Sequence, residues 1–505
     1  MRILLTAAED IHAFAEGSAK AYPKLGLLSL VAYIRSHLEG AEHIEFEYHD
    51  MLLENLGLQE MRVIIDRYHP DLVGISCLSY SEEIFHALAK VVKEECPEAL
   101  IVGGGPYVSS LRESVLHDPN IDVLVFDEGE VTFLELLKCL LNGQDYGQVA
   151  GIALRRSGEI HTTPSRSLIE NLDALPIPAF DMIDFDAYAA FNPHLDVGGR
   201  FAPIVTSRGC PFRCVYCHAL HGKSTRFRSV DHVMDEIGHL YHEHGVRLLY
   251  IYDDIFNLQR DRAKEICHRI INSKMDLGLD FLNGLRADLM DHELIDLMLD
   301  AGTYYIAYAV ETATPRLQNL IKKHNKLDRV ADAIEYTVQQ ARGRCVVATY
   351  NMIGFPTETE EEVWNTIEFN RSLAHHIADV AVAIPQEHTE MYQMALEVGF
   401  KAPAKRTPNY GKDVMMSASE KIGPERLSEM VYEFKHAFYD DERKRQLLRL
   451  AETPPVNSQM KYLGAFVRGY LKLSREFLGD TNAALRAGMV QTGSPKQGTA
   501  MDALL

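Results

Sequence analysis

Twice along this chain, short runs rich in branched apolar residues alternate with longer stretches of helical apolar spacing, and this alternation restricts the fold more than any other feature. In the first part, Ile3 to Thr6, Ile44 to Tyr48, Leu72 to Ser76, Leu100 to Val102 and Val123 to Phe126 read as strands. Between and after them, Leu25 to Leu38, Leu58 to Tyr68, Ser81 to Glu95, Ser109 to Leu116 and Val131 to Leu141 read as helices. Strands that each wait for a helix before the next strand pair in parallel, so residues 1–150 predict an α/β domain with a doubly wound parallel sheet. Gly151 to Thr162 reads as a hairpin turning at Ser157-Gly158, and the prolines of Leu172 to Phe180 mark a linker, so 151–200 connects two domains. Alternation resumes near Ala202 and lasts to about Gly399, enough for six βα units over 201–400. Helical periodicity alone returns from Pro424 to Leu478, with Asp440 to Arg449 as a solvated face, and Thr492 to Thr499 reads as a disordered tail of a helical region over 401–505.

The chemistry concentrates in Thr206-Ser-Arg-Gly-Cys210-Pro-Phe-Arg-Cys214-Val-Tyr-Cys217-His218, a loop that follows the first strand of the second array. Three thiols this close admit three readings: ordinary buried cysteines, a zinc site completed by His218 or a distant His, or an iron-sulfur cluster. Zinc sites usually pair two short Cys/His hooks, whereas Cys77, Cys96, Cys139, Cys267 and Cys345 are scattered singly. A four-iron cluster held by three cysteines keeps one iron open to a small molecule.

Charge removes other classes. Lys and Arg number 51 against 72 Asp and Glu, a net charge of −21, which argues against a nonspecific nucleic-acid or anionic-membrane binder. The N-terminus turns acidic at Glu9-Asp10 before a signal-peptide core is complete, and no apolar run reaches the length of a membrane span. Eight cysteines, three of them bunched, fit a reducing compartment, so a cytoplasmic location is expected.

Cys210-x-x-x-Cys214-x-Tyr216-Cys217, with an aromatic residue before the third cysteine, resembles the signature of the radical S-adenosylmethionine (SAM) superfamily. The resemblance implies a [4Fe-4S] cluster on Cys210, Cys214 and Cys217, SAM chelated to its open iron, and a partial (β/α)6 barrel whose strand ends carry the site. It implies SAM contacts from Tyr216, from Asp253 or Asp254 to the amino group, from Arg286 to the carboxylate, from Glu311 to the ribose, and from Gly354 beside the adenine. The sixth-strand loop keeps only Thr389 and Tyr392 of the family's Pro-Gly-Thr and Leu-Tyr pattern, which points to an unusual substrate, with His388 as an acid or base or else a plain exposed histidine. Lys223, Arg226 and Arg228, after the cysteine loop, are implied to touch the cluster or the corrinoid, or merely to cap the next helix.

Ala21-Tyr-Pro-Lys-Leu-Gly, Pro70 to Ser76, Ile101-Val-Gly-Gly-Gly-Pro106 and Asp127-Glu-Gly-Glu130 are similar to the Rossmann-like cobalamin-binding domain that precedes the barrel in one large subfamily. This implies cobalamin contacts from Ser76, Gly103, Gly104, Gly105, Glu128 and Gly129. Departures are Asp127, where members carry a basic residue, and Tyr107, where they carry His. Asp10-Ile-His12-Ala-Phe-Ala15 matches in part the Asp-x-His-x-x-Gly segment that gives a lower cobalt ligand elsewhere, so His12 is either that ligand or a solvated loop histidine. The expected activity is cobalamin-dependent radical SAM methylation of an unactivated carbon, or of phosphorus, in a small metabolite, fed by a flavodoxin or ferredoxin-type electron donor. Two alternatives stand beside it: radical rearrangement, cyclisation or oxidation without methyl transfer, and a non-catalytic corrinoid- or zinc-binding module.

Overall fold

The computed structural model describes residues 1–9, 21–156, 158–191, 199–218, 221–401, 417 and 419–474. Its first sheet has seven strands, β1 (Arg2–Ala7), β2 (Glu45–Asp50), β3 (Leu72–Ser76), β4 (Leu100–Gly104), β5 (Val123–Val125), β6 (Ile152–Arg156) and β7 (Glu159–Thr162), in the order β2-β1-β3-β4-β5-β6-β7. The first five are parallel, as the alternation predicts, and helices α1 (Leu25–His37), α2 (Leu58–Tyr68), α3 (Glu82–Glu95), α4 (Gly105–Leu111) and α5 (Gly129–Leu141) connect or follow them. The hairpin read as part of the connecting segment extends this sheet instead, because β6 pairs antiparallel with β5. Strand order reverses between β1 and β3, which opens a crevice at the carboxyl ends of the strands.

One helix begins earlier than its apolar spacing suggests. Pro106 sits in the first turn of α4, where its missing N–H costs nothing, and Arg112, left-handed at φ 53°, ends the helix before a short 3-10 turn over Arg112–His117.

Helix α6 (Phe185–Phe191) lies in the linker, and the second sheet follows: β8 (Phe201–Ile204), β11 (Leu248–Ile251), β12 (Gly278–Leu285), β13 (Thr303–Glu311), β14 (Val346–Ile353) and β15 (Ile377–Val382). A separate two-stranded ribbon, β9 (Ser207–Arg208) with β10 (Arg226–Phe227), is antiparallel. The six main strands are parallel and stand in chain order from β8 to β15, an open barrel with two edges. β13 is buried on both faces along nearly its whole length, which explains its run Thr-Tyr-Tyr-Ile-Ala-Tyr-Ala-Val.

Helices α7 (Val230–His242), α8 (Arg260–Ser273), α9 (His292–Asp300), α10 (Pro315–Leu320), α11 (Leu327–Ala341), α12 (Glu360–Ser372) and α13 (Glu390–Glu397) connect or follow the strands. Leu240, Ile266, Met298 and Ile334, from α7, α8, α9 and α11, pack with Leu249 and Ile306 on one side of the sheet. On the other side Tyr304, Tyr305 and Ala348 pack with Phe434, Phe438, Tyr462 and Val467 of the C-terminal helices α14 (Pro424–Phe438), α15 (Asp441–Ala451) and α16 (Ser458–Leu473). Gln459 ties α16 to the sheet by donating to the Leu299 and Thr303 carbonyls at 3.1 and 2.8 Å. The first domain reaches the same side of the barrel through Tyr22, whose ring meets Phe201, Tyr250 and Tyr252 edge-on at centroid distances of 5.9, 5.4 and 5.8 Å. Among the described residues no helix is long and apolar enough to cross a membrane.

Candidate functional site

The cysteine loop is clasped at its base, because β9 and β10 pair on either side of it. Gly209 turns the chain at φ 91°, where a side chain would run into the Ser224 carbonyl, so glycine is required there. Cys210 N–H donates to the Gly222 carbonyl at 3.3 Å, Cys217 N–H to Cys214 at 3.1 Å, and Val215 N–H to Ile321 at 3.1 Å. All three thiols then line one cavity of about 780 Å³ together with Tyr216, Asp254, Arg286 and Glu311. Desolvation by the loop raises the thiols of Cys210 and Cys217, the latter to about 11, so a cluster must displace their protons to bind. No three His, Cys, Asp or Glu side chains among the described residues are grouped to hold a single metal ion. A cuboidal cluster takes one thiolate at each of three corners, and the three-cysteine donor set suits that larger group.

Around the cysteines the polar residues are held by one another. Glu311 ends β13 in a left-handed conformation, φ 66°, and its Oε1 accepts from the Tyr216 hydroxyl and the Lys323 ammonium, each at 3.0 Å. A non-glycine residue held there is strained and persists because its neighbours fix it. Arg286 is gripped by Asp288 through Nε and Nη2 at 3.0 and 2.9 Å, donates Nη1 to the Lys323 carbonyl at 2.9 Å, and lies 3.9 Å from the Phe212 ring centroid. Its plane is thereby set in advance, with N–H groups left over from five.

The two aspartates after β11 part company. Asp253 is buried and turned away from the cavity, accepting from Thr206 N–H, Thr206 Oγ1 and Ser207 Oγ at 2.6 Å each, with its pKa raised by burial. Asp254 lines the cavity and accepts the Gly209 N–H at 2.9 Å. Gly354, at φ 87°, is not among the lining residues: its N–H donates to Glu358 at 2.5 Å and its carbonyl accepts from Ser417 at 3.1 Å. His388 is exposed on the turn before α13 and lines none of the three cavities described, so the structure gives it no contact with this site.

A second cavity, about 560 Å³, lies between the carboxyl edge of the first sheet and the barrel, bordered by Tyr22, Lys24, Ser76, Arg208, Arg228 and Tyr252 among others. It shares Ser76, Gly105, Asp127 and Arg208 with a narrower space of about 150 Å³ that runs down into the sheet. Ser76, Gly103, Gly104, Gly105, Glu128 and Gly129, the six residues tied to cobalamin by resemblance, all border this shaft. A Cβ on Gly103 would sit 2.9 Å from the Phe85 ring, so glycine is needed for the strand to pack as it does. A broad bowl above a narrow shaft suits a flat macrocycle with a nucleotide tail. His12 lies outside the described residues.

Glu128 borders the shaft but its carboxylate is engaged. Oε2 accepts from Arg226 Nη1 and Ile169 N–H, both at 2.8 Å, and Oε1 from Arg208 Nη1 at 3.1 Å, while Arg208 Nη2 donates to Glu130 at 2.6 Å. Burial alone would raise the pKa of Glu128, but the Arg226 hydrogen bond and the Arg208 charge outweigh it and hold the group below the usual carboxylate range. Arg228 instead serves the barrel, donating to the Val205 carbonyl at 3.0 Å and pairing with Glu236 at 2.5 Å, while bordering the bowl. Sequence reasoning missed Arg208 and Lys323. Arg208 stands two residues before Cys210, a position that could have drawn attention; Lys323 is distant in sequence and carries no signal beyond the lysine pair Lys322-Lys323.

The sequence model of the Radical SAM superfamily matches residues 204–369, and that of the B12 binding domain matches residues 18–137. An uncharacterized methyltransferase of Pyrococcus horikoshii is 31% identical over 399 residues, spanning 78% of this chain and 83% of that one. Cytidylyl-2-hydroxyethylphosphonate methyltransferase of Streptomyces wedmorensis is 29% identical over 373 residues, 67% of this chain and 69% of that one. Among solved structures, the cobalamin-dependent SAM radical enzyme OxsB with aqua-cobalamin bound superposes with a TM-score of 0.70 at 15% identity, over 98% of this chain and 82% of that one. With both halves matched and a relative this similar over most of its length, the chain belongs to the radical SAM superfamily, among the enzymes that carry a B12 binding domain.

Proposed function

We propose that this protein is a cobalamin-dependent methyltransferase that uses a SAM-derived radical to methylate an unactivated carbon, or phosphorus, of a small metabolite. One observation carries the reading. Arg208 and Tyr252 border the bowl, while Cys210 and Asp254, each two residues further on, border the cysteine cavity. Two residues of chain span at most about 7 Å, so a corrinoid in one cavity and a cluster in the other would face each other at close range. The methyltransferase names of the Pyrococcus and Streptomyces relatives support the same choice.

When bound, the cluster supplies one electron that cleaves SAM to methionine and a 5'-deoxyadenosyl radical, and the corrinoid supplies the methyl group. The chain's own residues bind and orient. Cys210, Cys214 and Cys217 would hold the cluster. Asp254 offers a carboxylate to the SAM ammonium, Arg286 its remaining N–H groups to the SAM carboxylate, and Glu311, fixed by Tyr216 and Lys323, accepts from ribose hydroxyls. Gly354 contributes through the backbone turn that Glu358 holds. Ser76, Gly103, Gly104, Gly105 and Gly129 shape the shaft for the corrinoid tail, with Glu128 fixing the wall from behind. Phe466 and Tyr470 of α16 border the cysteine cavity and give it an aromatic wall.

Residues 1–150 with the following hairpin would form the corrinoid domain, 201–400 the radical domain, and the helices after 401 its cover. The electron comes from a flavodoxin or ferredoxin-type protein, and the bunched thiols favour the reducing cytoplasm. The test is Cys214→Ala: iron content and 5'-deoxyadenosine formation from SAM under a strong reductant should both fall to background, and retained cleavage would refute the ligand assignment.

A further inference from the structure

We infer that the outer face of the cysteine loop, centred on Arg213, Lys322 and Lys326, is the docking surface for an acidic one-electron carrier protein. The inference rests on the radical reading above, since only that reading calls for such a carrier.

A basic surface is unexpected in a chain of 72 acidic and 51 basic residues. Yet there is no Asp or Glu between Asp196 and Asp231, and none between Glu311 and Asp328. Folding brings these two carboxylate-free stretches together. Val215 N–H bonds the Ile321 carbonyl at 3.1 Å, and the Lys322 carbonyl lies 4.0 Å from the Cys214 sulfur. Arg213, Lys223, Lys322, His324 and Lys326 are all exposed there. Glu390 pairs with Lys322 at 2.6 Å, and Lys223 turns to the Phe212 carbonyl at 2.8 Å. Arg213 and Lys326 carry the outward charge beyond those contacts.

The position suits electron delivery. Arg213 is the residue before Cys214, so a protein seated on it stands one residue's thickness from a cysteine of the cluster site. The net charge of −21 works against an acidic carrier elsewhere, so a local basic face would favour productive encounters at the cysteine loop. In the transfer the carrier loses one electron, the iron-sulfur centre gains it, and no atom or proton passes between the proteins.

The test compares the reconstituted holoprotein with Arg213→Glu/Lys326→Glu, and with Arg213→Gln/Lys326→Gln as the milder change, using a flavodoxin as probe. Titration calorimetry should show binding to the parent that weakens with salt, a Kd raised at least about tenfold in the Glu variant and less in the Gln variant. Carbodiimide cross-links from flavodoxin carboxylates should map to Lys322 and Lys326. SAM cleavage driven by reduced flavodoxin should fall at least about tenfold in the Glu variant, while cleavage driven by dithionite stays within about twofold of the parent. Unchanged Kd and flavodoxin-driven rate, or cross-links on another face, would overturn the inference. Absence of dithionite-driven cleavage in the parent would instead defeat the radical reading, and the titration would still decide the surface.

Discussion

Glu128 joins the two domains, and its removal gives a quantitative test of how they are held. Its side chain is 4% exposed, that of Arg226 is 4% exposed and that of Arg208 13% exposed. Glu128→Ala leaves two buried guanidinium groups short of their counter-charge and the Ile169 N–H without its acceptor. Breaking a buried pair by removing one partner costs about 3–5 kcal/mol, a large share of the stability of an ordinary domain. Removing the orphaned cation as well, in Glu128→Ala/Arg226→Met, should return about 2 kcal/mol of that loss. Because Glu128 is held below the usual carboxylate range, its contribution is present above the unfolded-state pKa and fades as the pH falls through the folded value, so parent and variant should converge in acid. Urea unfolding at neutral pH measures the loss, and amide exchange at Ile169 reports it locally. A loss below about 1 kcal/mol, with Ile169 protection unchanged, would refute the claim that this cluster clamps the domains.

Asp254→Ala should fold normally and weaken SAM binding about 10- to 100-fold, the worth of a charged hydrogen bond, whereas Asp253→Ala should lose stability because Thr206 and Ser207 lose their shared acceptor; calorimetry and thermal unfolding separate the two. Burial raises Glu358 to about 8, above its unfolded value, so the folded protein binds the extra proton and stability should fall as the pH rises from about 4.5 to 8, by up to about 3–5 kcal/mol. Glu358→Gln should flatten that slope in urea unfolding measured across the window, and an unchanged slope would contradict the assignment. His388→Ala should leave the SAM cleavage rate and the product yield within about twofold of the parent; a loss of tenfold or more, corresponding to about 1.4 kcal/mol, would return this residue to the site.

The architecture was legible because parallel strands buried on both faces must be continuous and apolar, and Leu72 to Ser76, Tyr304 to Val310 and Cys345 to Met352 are of that kind. The cysteines were legible because their spacing is local. What pairs across the fold was not. Nothing near Glu128 announces Arg208 and Arg226, which are 80 and 98 residues away and pair with its carboxylate across the two domains. Asp253 and Asp254 could not be told apart because the strand has just ended and the alternation that assigns faces ends with it. In the fold the Thr206 and Ser207 donors engage Asp253, while Asp254 lines the cysteine cavity. Lys323 reaches Glu311 from a separate loop, and only the tertiary path of the chain after α10 reveals it. Gly354 turns the chain at φ 87°, and Glu358 and Ser417 occupy its polar backbone atoms, which no motif encodes.

The most direct test of the account uses anaerobically purified, cluster-reconstituted protein given hydroxocobalamin, SAM and a strong reductant, with corrinoid retention read by absorbance and 5'-deoxyadenosine by chromatography. The account predicts about one corrinoid per chain, held in the bowl and shaft, together with 5'-deoxyadenosine that disappears in Cys214→Ala. 5'-Deoxyadenosine formed with no corrinoid retained would contradict it, leaving a radical enzyme whose first sheet serves another ligand.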